Sequence, residues 1–354
     1  MNYSRKTKEV FVFGAGASSA SGEAPLGKNL VWNYYEDCST MYRMGNNNKP
    51  AEDDLEEKTI EFINYGKFLK LADKVFPELD TYNKWRKEMH EGEMLTFPSQ
   101  LDKRYYVDEM TKILQVKGDL EGVELLKQLT LEHIGKAGIG SSNSLYEEFI
   151  KKLAGKSSEN VSIISLNFDC LLHEDFINGV YFDYLIDFAM VDEHRESYNK
   201  QNGVPLIKLN GSLDWAICQK CGKIKLLFHF VGKSSYDNLY CKMSKNCGEK
   251  LRPFIFLPHE EKNSLIHSLW DKARQDLSQA TKITIIGYSF PPYDQDVINL
   301  FKESLSPDVE LVIVDYAKDD KEKRIAEANY KRIKQAFLRD NTKLLLNGFQ
   351  GYVQ

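Results

Sequence analysis

The chain has 354 residues, of which 42% are hydrophobic and 28% are charged. These values are typical of a globular protein and exclude a chain that is disordered throughout. The formal net charge of -5 gives no overall attraction to nucleic acid phosphates, so nucleic acid is not expected as a direct partner. No apolar run approaches the length of a bilayer span, which predicts a cytoplasmic protein that does not associate with membranes.

The first strong strand signal is the apolar run Glu9–Phe13, which ends abruptly at a glycine. The loop that follows, Gly14-Ala15-Gly16-Ala17-Ser18, can bring its backbone close to a phosphate at the start of a helix. Ser19 stands where the usual dinucleotide fingerprint has a third glycine, so an ordinary strand-to-helix turn is the alternative. A second turn-rich segment, 21–26, predicts a loop folding over the ligand, with Pro25 and Leu26 as ligand contacts.

Further strand signals, at 161–166, 205–209, 282–286, 310–314 and 343–346, alternate in part with amphipathic helical patterns. This order predicts an α/β fold with a Rossmann-like, doubly wound parallel sheet. Long charged and amphipathic stretches with few strand signals predict an inserted helical region at 36–153. The predicted domains are therefore 1–35 with 154–354, the insertion 36–153, and a small zinc-ribbon insertion at 216–252. Ligands of such sheets bind at the carboxyl ends of the strands.

Polar residues follow two of these strands at the point where each strand ends. Asn167 and Asp169 come after 161–166, where a carboxamide and a carboxylate can hydrogen-bond ribose hydroxyls or a nicotinamide amide. Alternatively, either residue caps the helix that follows. Asn210 comes after 205–209, and this segment runs directly into a cluster of cysteines.

Four of the six cysteines, Cys218, Cys221, Cys241 and Cys247, fall within one short stretch. In a cytosolic chain such a cluster indicates a metal site before it indicates disulfides. Cys218 and Cys221 have the spacing of a zinc knuckle, whereas the other two are farther apart than usual. We expect a structural zinc ion that holds a small ribbon in place, with unliganded thiols as the alternative.

The strand at 282–286 ends in a segment that contains Gly287 and Ser289, which are placed to meet a ribose or a phosphate. Asp315, at the end of the strand 310–314, suits a hydrogen bond to an adenosine ribose hydroxyl. An ordinary turn residue is an equally good interpretation of Asp315.

In this order, the four segments resemble the sirtuin superfamily, and more closely the prokaryotic sirtuin-like NAD hydrolases of antiphage defence. The closer resemblance rests on Lys208–Trp215 leading into Cys218, on Leu269-Trp270 and on 287–292. It covers the chain from about Val10 to Asp315, apart from the helical insertion. It implies that NAD is bound as substrate through these positions: Ala15, Gly16 and Ser18 at the pyrophosphate, Asn167 and Asp169 at the nicotinamide ribose, and Gly287, Ser289 and Asp315 at the adenosine half.

The chain departs from that family at one position, because Asn210 stands where the family has a catalytic histidine. A carboxamide cannot take the proton that protein deacylation requires at neutral pH, so deacylation is disfavoured. Hydrolysis of NAD demands less, because loss of the cationic nicotinamide leaves an oxocarbenium-like centre that water captures. Asn167, Asp169 and Asn210 are the predicted catalytic residues. The rate is expected to be low unless another base substitutes, for which His173 is a candidate; a packed or solvent-facing helical histidine is the alternative.

The leading functional hypothesis is an NAD+ hydrolase that releases nicotinamide, forms ADP-ribose and depletes NAD in antiphage defence. The alternative is a non-catalytic sensor of NAD or ADP-ribose that controls a partner, and a protein deacylase ranks last. By analogy we expect a homo-oligomer, or activation by a separately encoded subunit such as a helicase-type ATPase. An engineered replacement of a catalytic histidine, made to trap ligand, would also leave an asparagine at position 210.

Overall fold

The computed structural model of the protein describes residues 7–22, 66–80, 82–84, 107–137, 145–174, 180–191, 203–227, 239–338 and 340–354. The chain divides into two compact units. The first comprises Met1–Ala24, Ile134–Phe256 and Glu261–Gln354, and the second comprises Pro25–His133 and Leu257–Glu260. The sequence-based limits of the insertion, 36–153, and of the ribbon, 216–252, stay predictions.

The described strands are, in chain order, β1 (Glu9–Phe13), β2 (Val161–Ser165), β3 (Phe182–Asp183), β4 (Met190–Val191), β5 (Val204–Lys208), β6 (Gly211–Cys218), β7 (Ile224–Leu226), β8 (Leu251–Ile255), β9 (Lys282–Ile286), β10 (Glu310–Val314) and β11 (Thr342–Leu345). The α-helices with defined bounds are α1 (Ala15–Gly22), α2 (Val107–Lys117), α3 (Leu120–Ala137), α4 (Leu145–Leu153), α5 (Leu171–Glu174), α6 (Ser264–Gln279), α7 (Gln295–Ser304), α8 (Asp320–Phe337) and α9 (Gly348–Val353). Residues 66–75 are also helical, and Pro77–Leu79 form a 3-10 turn.

A seven-stranded sheet in the order β11-β10-β9-β1-β2-β5-β3 forms the centre of the first unit. Every neighbouring pair of strands in it is parallel. The rings of Phe11 and Phe13 pack against Phe149 of α4, so helices cover one face of the sheet. Val10 and Val12, which point to the other face because side chains alternate along a strand, are fully buried as well. The predicted doubly wound parallel sheet is confirmed.

The position of β1 determines where this sheet can bind a ligand. From β5 through β2, β1, β9 and β10 to β11, the strands have the 3-2-1-4-5-6 order of dinucleotide-binding folds, with β3 added at one edge. The chain leaves β1 toward β2 on one side and later returns to its other side as β9. A crevice at the carboxyl ends of β1 and β9 is the usual ligand site of such a sheet.

Two loops pack backbone against backbone at this crevice. The N–H groups of Gly14 and Gly16 donate to the carbonyl oxygens of Ile286 and Gly287, over 3.0 and 2.9 Å. A Cβ on Gly14 would lie 2.6 Å from the Gly287 oxygen, and one on Gly287 would lie 2.1 Å from the Ala17 nitrogen. Gly287 also has a φ of 65°, which residues with a side chain rarely adopt. The contact between the loops therefore requires glycine whether or not a ligand binds.

A second sheet, in the order β4-β7-β6-β8, lies in the same unit. Its longest strand, β6, is buried along its whole length and pairs antiparallel with both β7 and β8. In the second unit, the buried side chain of Lys127 forms an ion pair with Glu260 over 2.8 Å. None of the helices described here has both the length and the apolar character that crossing a membrane would require.

The contact between the two loops yields a stability prediction. Gly287→Ala should lower the free energy of unfolding by about 2–5 kcal/mol, because left-handed strain and overpacking both oppose the new methyl group. Gly155→Ala is the matched control, since Gly155 has a φ of 81° but no atom within 4 Å of an added Cβ. Urea unfolding followed by circular dichroism measures both variants, and equal losses would contradict the packing explanation.

Candidate functional site

The glycine loop 14–18 lies at the crevice, and α1 begins within it at Ala15. Most of its described N–H groups have partners in the protein, because Ala17 donates to the Gly14 carbonyl oxygen over 3.0 Å, in addition to the two bonds that reach across to β9. The loop is thus fixed in place by its own backbone. The positive end of the α1 dipole lies at the loop, where an anion is favoured. Pro25 and Leu26 lie outside the described residues.

Asn167 joins the end of β2 to the glycine loop. Its Nδ2 donates to the Gly14 carbonyl oxygen over 3.0 Å and to the Ser18 Oγ over 2.7 Å. Because a carbonyl oxygen can only accept, the nitrogen of the carboxamide must face the loop. Both Nδ2 hydrogens are then used, and Oδ1 remains as an acceptor. Asn167 and Ser18 are both buried.

Asp169 and the short helix α5 follow Asn167. The Asp169 Oδ1 accepts from the Leu171 N–H over 3.2 Å, an Asx turn that leads into α5 and that corresponds to the local, helix-starting alternative that the sequence left open. The buried Lys208 at the end of β5 donates its Nζ to the Asp169 carbonyl oxygen over 2.5 Å. The ammonium group of Lys208 therefore holds the loop 167–170 in place through the backbone. His173 lies on α5.

Asn210 begins the connection between β5 and β6. Its Nδ2 donates to the Leu166 carbonyl oxygen over 3.2 Å, so the orientation of this carboxamide is also determined by a backbone acceptor. Trp270 of α6 donates its Nε1 to the Leu209 carbonyl oxygen over 2.9 Å and thereby anchors the same strand end. The structure brings Asn210 into contact with the residue that directly precedes Asn167.

The remaining predicted residues lie at the ends of β9 and β10. Gly287 contacts the glycine loop, and Ser289 is exposed beyond it. Arg332 of α8 holds this loop by donating to the carbonyl oxygens of Ser289, over 2.5 Å, and Phe290, over 2.8 Å. The half-buried Asp315 follows β10, and its Oδ1 accepts from the Tyr316 N–H over 2.8 Å.

All four predicted segments thus end at the same edge of the parallel sheet. The strands that form this edge, β10, β9, β1, β2 and β5, are neighbours in the sheet in that order. Three residues that support these segments were not predicted as site residues: Tyr146, Lys208 and Arg332. Tyr146 occupies the apolar face of an amphipathic helix, where the sequence signals only a core residue. The partners of all three lie far away in sequence, so no local pattern indicated these contacts, although Lys208 belongs to a segment that carried the resemblance.

Burial changes the ionisation of two tyrosines near the crevice. It raises the pKa of Tyr146 well above the ordinary value, and the nearby charge of Asp169 raises it further. Tyr146 therefore stays neutral and keeps its hydroxyl hydrogen at physiological pH. Burial likewise raises the pKa of Tyr288, whose hydroxyl donates to Asp294 over 2.5 Å. The same burial raises the pKa of Asp294.

The four predicted metal ligands come together in space. The Sγ atoms of Cys218, Cys221, Cys241 and Cys247 all lie within 4.8 Å of one another. The distance is 3.5 Å between Cys218 and Cys247, and 3.7 Å between Cys221 and Cys241. Four Zn–S bonds of about 2.3 Å in a tetrahedron place the sulfurs about 3.8 Å apart. The four cysteines therefore fit a structural zinc site, as the sequence predicted.

The cluster joins two segments of the second sheet. Cys218 is the last residue of β6, and the Cys221 N–H donates to its sulfur over 3.5 Å. The Cys241 N–H donates to the carbonyl oxygen of Glu249 over 2.7 Å, and Glu249 lies just before β8. A metal bound here would link the turn after β6 to the segment that enters β8, and four thiolates would leave no open coordination position for catalysis.

No protein-family model and no curated protein matches the chain. Its structure is similar to solved structures described as Sir2 enzymes. One, from a study of the mechanism and regulation of Sir2 enzymes, is 15% identical, with a TM-score of 0.42 over 98% of this chain and 89% of that chain.

Two others are complexes. Sir2 bound to the inhibitor EX-527, 2'-O-acetyl-ADP-ribose and a deacetylated p53 peptide is 13% identical, with a TM-score of 0.40 over 98% of this chain and 90% of that one. A Sir2 homolog–NAD complex is 17% identical, with a TM-score of 0.36 over 71% and 86%. Identity at this level assigns no family and no activity, so the function is inferred from the site.

The cysteine cluster yields a prediction about metal content. Cys221→Ser should reduce bound zinc from about one ion per chain to nearly none, because three thiolates and a hydroxyl bind zinc poorly. Cys170→Ser is the matched control, since Cys170 is buried outside the cluster. Elemental analysis of the purified variants measures the zinc. Full zinc content in Cys221→Ser, or the same loss in the control, would contradict the assignment.

Proposed function

We propose that the protein is an NAD+ hydrolase that releases nicotinamide and forms ADP-ribose. The observation that carries the proposal is the hydrogen bonding of Asn167 to Gly14 and Ser18. It joins a glycine loop and a polar strand end at the crevice where sheets of this strand order bind dinucleotides. The resemblance of the sequence motifs to sirtuin-like NAD hydrolases supports the same substrate.

In this proposal NAD lies across the carboxyl ends of β1 and β9. Its pyrophosphate lies at the start of α1, where the dipole and the glycine backbone favour an anion. The adenosine half extends toward Gly287, Ser289 and Asp315, at the ends of the neighbouring strands β9 and β10. The nicotinamide ribose lies on the opposite side of β1, near Asn167 and Asp169. The two halves of NAD are assigned to opposite sides of β1 because β9 and β10 lie on one side of that strand and β2 lies on the other.

The reaction breaks the bond between ribose C1' and the nicotinamide nitrogen, and the bonding electron pair neutralises the pyridinium. A water molecule then forms a C1'–O bond and loses a proton to solvent, giving ADP-ribose, nicotinamide and H+. Asn167 and Asn210 both use Nδ2 on backbone acceptors, so their Oδ1 atoms can accept hydrogen bonds from that water. They orient the water but cannot take its proton, and the proposal therefore includes a low rate.

We also propose that the protein depletes NAD in antiphage defence, and this part rests on the resemblance of its motifs to those of sirtuin-like NAD hydrolases. The predicted homo-oligomer and the separately encoded activator belong to it on the same ground. A low intrinsic rate is compatible with activity that depends on a trigger.

A second candidate is a non-catalytic sensor of NAD or ADP-ribose, and Asn210 is the observation that favours it. A site that orients two carboxamides, with Asn210 in place of a histidine, suits a bound nucleotide as well as a reacting one. Protein deacylation has less support, because it requires that base to activate a ribose hydroxyl.

Replacing Asn210 separates these functions. Asn210→His should raise the rate of nicotinamide release about 100-fold or more, because general-base assistance contributes about 10²–10⁴-fold. Chromatography of purified protein incubated with NAD, with an acylated peptide in parallel, measures each product. Asn160→His is the matched control, since Asn160 directly precedes β2, at the opposite end of the sheet from the site, and its rate should equal that of the wild type.

The outcomes distinguish the candidates. Stoichiometric NAD binding without nicotinamide release, in both the wild type and Asn210→His, would overturn the hydrolase and favour the sensor. Transfer of the acyl group from the peptide would favour the deacylase.

The pH profile provides an independent prediction. An introduced imidazole acts as a base only when it is neutral, so the extra activity of Asn210→His should fall as the pH drops through about 6.5. The wild type has a carboxamide at this position and should lack that inflection. Initial rates of nicotinamide release between about pH 5.5 and 8.5 measure the difference. An identical inflection in both proteins would show that another group titrates.

A further inference from the structure

A buried tyrosine lies behind the carboxamide of Asn167. Tyr146 is on α4, is 1% exposed, and its hydroxyl lies 2.9 Å from the Ser18 Oγ. Its ring packs edge-on against Phe13 and Phe349, with centroid distances of 5.3 and 5.2 Å. The hydroxyl is therefore held in place by packing and cannot move independently of the ring.

We propose that Tyr146 is a positioning residue that holds the Ser18 hydroxyl in the rotamer that receives the Asn167 carboxamide. The inference rests on the proposed function, because it concerns how Asn167 presents its Oδ1 to water. It assigns the helix before β2 a role in that site.

The need for Tyr146 follows from the position of Ser18 within α1. A serine in a helix readily turns its hydroxyl back to the carbonyl oxygen four residues earlier. For Ser18 that acceptor is the Gly14 carbonyl oxygen, which already accepts from Ala17 and from the Asn167 Nδ2. A Ser18 hydroxyl turned toward Gly14 would compete with Asn167 for this oxygen.

The Tyr146 hydroxyl offers Ser18 a partner in the other direction. With the hydroxyls of Ser18 and Tyr146 paired, the Ser18 Oγ keeps a lone pair for Asn167, which it meets at 2.7 Å. Because burial keeps Tyr146 protonated, this pairing persists across the physiological pH range. Both Nδ2 hydrogens of Asn167 then have defined acceptors, and the direction of Oδ1 is fixed.

The test removes only the hydroxyl. Tyr146→Phe keeps the ring that packs against Phe13 and Phe349, so the thermal midpoint should stay close to that of the wild type. The kcat for nicotinamide release from NAD should fall about 10- to 100-fold, because a misdirected Asn167 Oδ1 no longer orients the attacking water. KM should change little. Tyr330→Phe is the matched control, since its hydroxyl donates over 2.7 Å to the Thr342 carbonyl oxygen on a different helix–strand contact. Its kcat should be unchanged.

A double-mutant cycle supplies a readout that lost packing would not reproduce. Tyr146→Phe should lower kcat in the wild-type background and have a clearly smaller effect in a Ser18→Ala background, because part of its influence passes through the Ser18 hydroxyl and part through its own contact with the Asn167 side chain. The same comparison in the Asn210→His background gives a faster reaction to measure.

The outcomes separate this inference from the proposed function. A wild-type kcat in Tyr146→Phe, a loss confined to KM, an equal loss in Tyr330→Phe, or an undiminished loss in the Ser18→Ala background would overturn the role of Tyr146 and leave the hydrolase intact. If neither the wild type nor Asn210→His releases nicotinamide, the proposed function fails, and this inference fails with it.

Discussion

The close approach of two backbones at the centre of the parallel sheet is the contact on which the site depends. Gly14 and Gly16 donate to the carbonyl oxygens of Ile286, the last residue of β9, and of Gly287, where no space remains for a side chain between the loops. This contact sets the distance between the loop after β1 and the loop after β9, which is the opening of the crevice. Packing between the loops requires glycine at these positions whether or not a ligand binds, and a close approach of the backbone to a ligand would require the same residues.

The polar groups around the crevice are largely committed to one another before any ligand arrives. The carboxamide nitrogens of Asn167 and Asn210 face backbone oxygens, and the Lys208 ammonium supports the loop between them. Such a site is preorganised, because its groups need little rearrangement when a substrate enters. The free oxygens of these two carboxamides can accept hydrogen bonds but cannot take a proton at neutral pH.

The cysteine cluster is connected to the site through a single strand. β6 begins at Gly211, next to Asn210, and ends at Cys218, the first of the four clustered cysteines. The strand is buried throughout, and its pairing with β8 shifts register between Gly211 and Ala216. A structural ion bound by the four cysteines would hold the end of β6 that lies away from Asn210.

The sequence by itself determined the parallel sheet, the four polar or glycine-rich strand ends and the metal ligands, because each is encoded by local periodicity or by residue types at short spacing. It also located the chemical departure at Asn210. Only the tertiary structure decided which way the carboxamides face and that Tyr146 reaches Ser18. These features depend on partners up to 153 residues apart, as for Asn167 and Gly14, and no local pattern records such contacts. The strand order, and with it the location of the crevice, likewise arises only when the chain crosses from one side of β1 to the other.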